Sequence, residues 1–236
     1  TNANFLEAHN NLGIALQEQG KLEEAIASYR QAIALNSGFA EAHNNLGAAL
    51  QKSGKPEEAV ASFQHAISLI SNYAEAHNNL GIALEDLGRL DDAIASYRQA
   101  IASNPHYPEA HNNLATALKS QGVTGEAISA YEQAIAVNSR YAEAHNNLGN
   151  VLRELGRLED SKACLMQAIR LKSDFVEAHT NLGNALRELG RLEEAEESYR
   201  RAITLKFDYA LSHFNLGKAL YIKGCKELAS ESIEKA

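Results

Sequence analysis

Histidine is the side chain best suited to chemistry near neutral pH, and this chain carries nine of them. Seven, namely His9, His43, His77, His111, His145, His179 and His213, follow one another at intervals of 34 residues. Imidazole is the commonest transition-metal ligand, so a metal centre is the first chemistry to test. The spacing argues against it. One histidine per structural repeat, with helices packed roughly 8–10 Å apart, does not bring several nitrogens to within roughly 2.1 Å of one ion. No HExxH, CxxC or phosphate-cradling glycine motif is present. The carboxylates repeat along the chain without converging. We therefore expect no metal, no cofactor and no catalysis, and read each histidine as a part-buried ring with one nitrogen hydrogen-bonded.

Two residues after each histidine stands an asparagine: Asn11, Asn45, Asn79, Asn113, Asn147, Asn181 and Asn215. Asparagine is an indifferent helix former, so its recurrence in mid-helix calls for a reason. Recent duplication of the copies is one. Recognition is the other: an amide offers one acceptor and two donors, and can bond both the C=O and the N–H of an extended peptide without reading its side chains. At about 0.5–1.5 kcal/mol per net hydrogen bond, several rungs together would hold a segment that one could not. The residue before each rung adds Asn10, Asn44, Asn78, Asn112 and Asn146, then changes to Thr180 and Phe214. Farther along the same expected face lie Ile14, Ala48 and Ile82 in the first half, and Asn150, Asn184, Arg153, Arg187 and Lys218 in the second. The second set suits acidic or carboxylate groups of a ligand, although arginines on a solvated helix would look the same.

The elements that carry these residues follow from the period. Copies of 34 residues span 6–39, 40–73, 74–107, 108–141, 142–175, 176–209 and an incomplete 210–236. Positions 4, 7, 8 and 11 of each copy (His9, Leu12, Gly13 and Leu16 in the first) fall on one helical face, and positions 2, 5, 6, 9, 12 and 13 on the other. In the second half of the copy, Leu22, Ala25, Tyr29, Ala32 and Ile33 share a face, and Gly20 marks the break between the helices. Each copy is a helical hairpin that can bury its apolar faces only against the next. The exit segments, such as NSGF and NPHY, are expected to cap the following helix with Asn, Ser or Asp. Copy 4 departs most, with Ala115 for glycine and Val123-Thr124-Gly125 at the start of its second helix, which is expected to begin late or fray.

This pattern resembles the tetratricopeptide repeat (TPR) family, whose 34-residue motif places Leu-Gly at positions 7 and 8, alanine at 20, an aromatic at 24 and alanine at 27. Histidine replaces the usual aromatic at position 4, and serine mostly replaces the proline at 32, which Pro105 keeps. The resemblance implies an all-α, right-handed superhelical solenoid of helix-turn-helix hairpins, with the first helix of each lining a concave groove. The asparagines at position 6 are similar to those of the TPR superhelix of O-linked N-acetylglucosamine transferases, where they hold substrate polypeptides by the backbone. The family's chaperone clamps also use asparagine at position 6 but need lysine at position 5, which is absent here.

The expected function is thus a noncatalytic scaffold for protein–protein interaction that binds an extended segment of another protein. A substrate-recruiting or dimerising arm of a larger enzyme, such as a glycosyltransferase, predicts the same groove. Self-assembly through repeat ends or the convex face, giving a homo-oligomer, is the third reading. With 30 Asp and Glu against 22 Lys and Arg the formal charge is −8, with most of the acidity in the first four copies, so nucleic acid is not an expected partner. No apolar run is long enough to span a membrane, and two cysteines suit a reducing, cytoplasmic setting. Residues 1–5 read as the remnant of a preceding copy, with Phe5 at the place of Phe39 and Tyr73, as if the chain were cut from a longer array.

Overall fold

The structure, a computed structural model, describes residues 2–236, with side-chain surroundings from residue 5 onward. The described residues form fourteen α-helices and no strand. Helices A are α1 (Asn2–Glu18), α3 (Ala40–Lys52), α5 (Ala74–Asp86), α7 (Pro108–Ser120), α9 (Ala142–Glu154), α11 (Val176–Glu188) and α13 (Ala210–Ile222). Helices B are α2 (Leu22–Leu35), α4 (Pro56–Leu69), α6 (Leu90–Ser103), α8 (Thr124–Val137), α10 (Leu158–Leu171), α12 (Leu192–Leu205) and α14 (Lys226–Glu234). The chain divides into two compact units, Thr1–Val123 and Thr124–Ala236. In the first, α1 packs on α2, α3 on α4 and α5 on α6, and successive helices A touch from α1 through α7; in the second, α9, α11 and α13 pair with α10, α12 and α14 and touch in the same way.

The A-to-B turn is set by one residue. Gly20 has φ of 75°, the left-handed region that glycine enters without penalty. There Lys21 N–H bonds Leu16 O at 2.9 Å and Gly20 N–H bonds Gln17 O at 3.0 Å, the Schellman pair that closes a helix C-terminus. Inside the hairpin, the glycine at position 8 admits the ring at position 24. A Cβ on Gly47 would lie 2.6 Å from Cε1 of Phe63, which is fully buried. Phe63, Tyr97, Tyr131 and Tyr199, with alanines at positions 20 and 27, make the repeating core.

Two local expectations are corrected. The exit-turn residues do not cap helix A: Phe39, Tyr73 and Tyr107 occupy the N-cap positions and make no side-chain cap bond. Instead the Oδ1 of Asn36, Asn104 and Asn138 accepts the N–H two residues on, at 2.9–3.1 Å, and so shapes the turn itself. These asparagines stand at the C-cap of helix B, too far ahead of the next helix to reach its first N–H groups. Second, α8 starts at Thr124, the place equivalent to Leu90 and Leu158, and runs for the same 14 residues as α6 and α10. Residues 2–5 continue α1, which leaves Phe5 64% exposed within that helix. Ala3 and Asn4 stand where Ser37 and Gly38 break the chain in the next copy, and alanine favours the helix.

Candidate functional site

In copies 2–7 the histidine at position 4 reaches back over the exit turn. The Nε2 of His43, His77, His111, His145, His179 and His213 lies 2.7–3.1 Å from the backbone carbonyl six residues earlier. A carbonyl can only accept, so Nε2 carries the proton and the ring fastens helix A to the turn. Burial lowers the His43 pKa, with the bond to the Ser37 carbonyl acting against it. No cluster of metal-ligating side chains occurs among the described residues.

The two asparagine series separate. Those at position 5 were expected on the groove but are buried, Asn10 at 2% and Asn44 at 1% exposure, with Asn78, Asn112 and Asn146 buried likewise. Within each unit the next copy's helix A bonds Asn10, Asn44, Asn78 and Asn146, so these amides do not face a ligand. In the first unit, Asn10 Nδ2 donates to Glu41 Oε1 at 3.0 Å while its Oδ1 accepts from Asn45 Nδ2 at 3.0 Å. Asn44 repeats this with Glu75 and Asn79, both at 3.1 Å, and Asn113 donates to Asn78 at 3.0 Å. In the second unit, Asn181 donates to Asn146 Oδ1 at 3.0 Å, and Asn146 Nδ2 donates to Asn147 Oδ1 at 3.2 Å. Asn10 and Asn44 thus each grip two side chains of the following helix A, four residues apart, while Asn146 grips one and a neighbour on its own helix. The signal lies in the sequence as the Glu at position 2, which stands 31 residues after the position-5 asparagine of the preceding copy.

The asparagines at position 6 remain accessible in every copy but the last. Asn11 is exposed, Asn45, Asn79, Asn113, Asn147 and Asn181 are half-buried, and Asn215 is buried. Where Asn45, Asn79, Asn113 and Asn181 each spend one N–H on position 5, the carbonyl oxygen and the second N–H are left for a ligand.

Around this row the units differ. In the first, Gln51 Nε2 donates to Asp86 Oδ2 at 2.7 Å, and the Tyr97 hydroxyl donates to Glu85. Burial first, then the Glu85 carboxylate, pushes the Tyr97 phenol well up. In the second, Arg153 Nη1 donates to Glu188 Oε1 at 2.8 Å and its Nη2 to Asn150 Oδ1 at 3.2 Å, while Asn150 Nδ2 donates to Glu154 at 3.1 Å. Arg187 lies 3.8 Å from the same Glu188 oxygen. Tyr199 donates to Asn184 Oδ1 at 2.8 Å. Lys218 is not joined to this network; its Nζ sits 4.3 Å from the centroid of the Phe214 ring. The arginines are thus held by acidic neighbours, Glu154 and Glu188, that the expectation of a basic half-groove left out.

These hairpins, with Leu-Gly at 7 and 8 and an aromatic locked into the glycine, define a tetratricopeptide repeat protein. More narrowly, residues 3–219 match the family described as the cilia and flagella-associated protein 70 C-terminal domain, and the chain belongs to that family. No curated protein sequence matches it. Among solved structures, the chain is similar to the APC/C hetero-tetramer Cut9–Hcn1, with a TM-score of 0.80 and 18% identity over 91% of this chain, which spans 43% of that one. It is similar to MamA, with a TM-score of 0.62 and 25% identity over 69% of this chain and 95% of MamA. It also matches YrrB, a TPR protein with an unusual peptide-binding site, with a TM-score of 0.62 and 21% identity over 83% of this chain and 97% of YrrB. No described helix is long and apolar enough to cross a membrane.

Proposed function

We propose that this chain is a noncatalytic protein-interaction scaffold that holds an extended segment of another protein along the position-6 asparagines. The observation that carries the reading is the set of amides on Asn45, Asn79 and Asn113 in the first unit, each anchored through one N–H and each with a carbonyl and a second N–H to spare, with Asn181 anchored likewise in the second. Such a row pairs with the alternating C=O and N–H of a strand-like peptide and ignores its side chains. The peptide-binding site of YrrB, a protein of the same fold, agrees with this use. Asn11 and Asn147 extend the row, the buried Asn215 does not, and Asn150, Asn184, Arg153, Arg187 and Lys218 flank its later part. The position-5 asparagines serve by positioning the rungs.

A random peptide library displayed against the purified chain tests the reading. Substituting Asn79, Asn113 and Asn147 together by alanine removes bonds worth about 1 kcal/mol each and should weaken the selected peptides about tenfold or more. N-methylation of alternate peptide amides should do the same, whereas exchange of peptide side chains should not. Capture that survives both the triple substitution and N-methylation would exclude the ladder.

A further inference from the structure

A second surface, built on helices B of copies 5 and 6, departs from the repeat in a concerted way. Position 21, between the core alanine and the ring, is Ile26, Val60 and Ile94 in copies 1–3, each buried at 7% exposure or less. In copies 5 and 6 it is Lys162 and Glu196, which turn to ion pairs with Glu159 and with Lys223 and Arg200. Leu182 is only part-buried, whereas its equivalents in copies 2–5 and 7, Leu46, Leu80, Leu114, Leu148 and Leu216, are buried.

Over Leu182, between α10 and α12, lies an open cavity of about 680 Å³ whose floor includes Ile169 and Met166; an adjoining one of about 280 Å³ shares Met166 and Leu182 with it. Met166 is 48% exposed at a position that is arginine, glutamine or glutamate in copies 1–4. Arg170 and Arg201 line the cavity from its two helices, where copies 1–4 place alanine or serine and glutamine or histidine. Neither guanidinium is engaged by any described residue. Ser198 and Thr204 spend their hydroxyls on their own helix, Arg200 pairs with Glu196, and Glu197 is the one acidic residue of the lining. An exposed apolar floor between two unsatisfied cations, in a chain of net charge −8, selects a ligand by both properties at once.

We infer that this cavity docks an acidic segment of a partner protein, which buries a large aliphatic side chain over Leu182 and Met166 and sets carboxylates against Arg170 and Arg201. The site is independent of the asparagine row, since it is formed by helices B and by the packing face of α11.

Met166 is the single methionine of the chain, so ε-methyl 13C labelling gives one NMR resonance from within the cavity. The probe is a dodecapeptide with two adjacent leucines flanked by glutamates, titrated into the full chain beside its lysine-flanked counterpart and decanoate. The Met166 methyl should shift saturably with the glutamate peptide and not with the lysine peptide. Affinity should fall about tenfold or more in the Arg170→Glu/Arg201→Glu variant, and by less in Arg170→Gln/Arg201→Gln, with unchanged circular dichroism in both. No shift with the glutamate peptide, equal shifts with both peptides, undiminished affinity in the charge-reversed variant, or a response to decanoate alone would each overturn the assignment.

Discussion

Replacing Asn44 by alanine tests the link between stacking and the asparagine row. Its amide makes two bonds at 3.1 Å, to Glu75 and from Asn79, and is 1% exposed. At about 0.5–1.5 kcal/mol each, the two are worth about 1–3 kcal/mol. Glu75 is exposed and Asn79 half-buried, so both recover water and neither adds the penalty of an orphaned charge. Alanine's better helix propensity returns about 0.5 kcal/mol, which the exposed Asn11→Ala gains without the loss. The two variants should therefore differ by about 1–3 kcal/mol in urea unfolding followed by circular dichroism, with Asn11→Ala the more stable. Asn44→Asp sharpens the test, because it sets a carboxylate, in place of a donor, against Glu75. Burial and like charge raise that carboxyl's folded-state pKa, so its protonated form is favoured on folding. Stability is then present at acid pH and lost as pH rises through the raised value, making Asn44→Asp worse than Asn44→Ala at pH 7 and recovering toward pH 4. Equal midpoints for Asn44→Ala and Asn11→Ala, or an Asn44→Asp variant insensitive to pH, would refute the argument.

Other consequences are open to measurement. Burial holds the phenols of Tyr29, Tyr73 and Tyr107 at about 12 in the folded chain. Against a free value of about 10, stability is fully present below pH 10 and should fall as pH rises toward 12, read as an alkaline unfolding transition. Gly183→Ala would put a Cβ 2.5 Å from Cε1 of Tyr199, whose hydroxyl is tied to Asn184, so overpacking of about 1–3 kcal/mol should outweigh a propensity gain of about 1 kcal/mol and lower the melting temperature. Gly125 has open space where its Cβ would go and ordinary helical φ, so Gly125→Ala should raise stability by about 0.5–1 kcal/mol; amide exchange across 124–131 should slow with it.

The period of 34 residues carried most of the fold. Gly20 and its equivalents break the helices, and the glycine opposite Tyr29 or Phe63 identifies which faces meet, both readable from residue type. Position 5 was not readable this way. A helical wheel sorts residues to two sides of one helix, but Asn44 lies on a third surface, the one covered by the next helix A, and only the stacking angle reveals it. The pairing is nonetheless written in offsets: Asn10 meets Glu41 and Asn45, 31 and 35 residues on, and Asn44 meets Glu75 and Asn79 at the same intervals. Two partners four residues apart on one helix are a single face, which is a stronger constraint than either series alone. The Arg153 and Arg187 environment failed to appear for a similar reason, since Glu188 reaches back from the following copy to meet Arg153.

This wiring explains why asparagine occurs in mid-helix in pairs. A lone rung on a solvated face would keep its rotamer freedom and lose it on binding, at a cost comparable to the hydrogen bond it makes. Tying one N–H of Asn79 to a buried Asn44 pays that ordering cost during folding, and leaves the carbonyl of each rung fixed relative to its own helix. Under the proposed function, stacking and recognition share one set of bonds. Loss of a position-5 asparagine should weaken peptide capture at the rung it orients without touching the ligand, and loss of a rung should cost less stability than loss of its anchor. The end of the row supplies an internal comparison: Thr180 replaces the anchor and bonds Ser212, so Asn215 has no asparagine to hold it. Thr180→Asn should therefore alter stability and stacking at copy 7, while Asn215→Ala should affect capture less than Asn79→Ala.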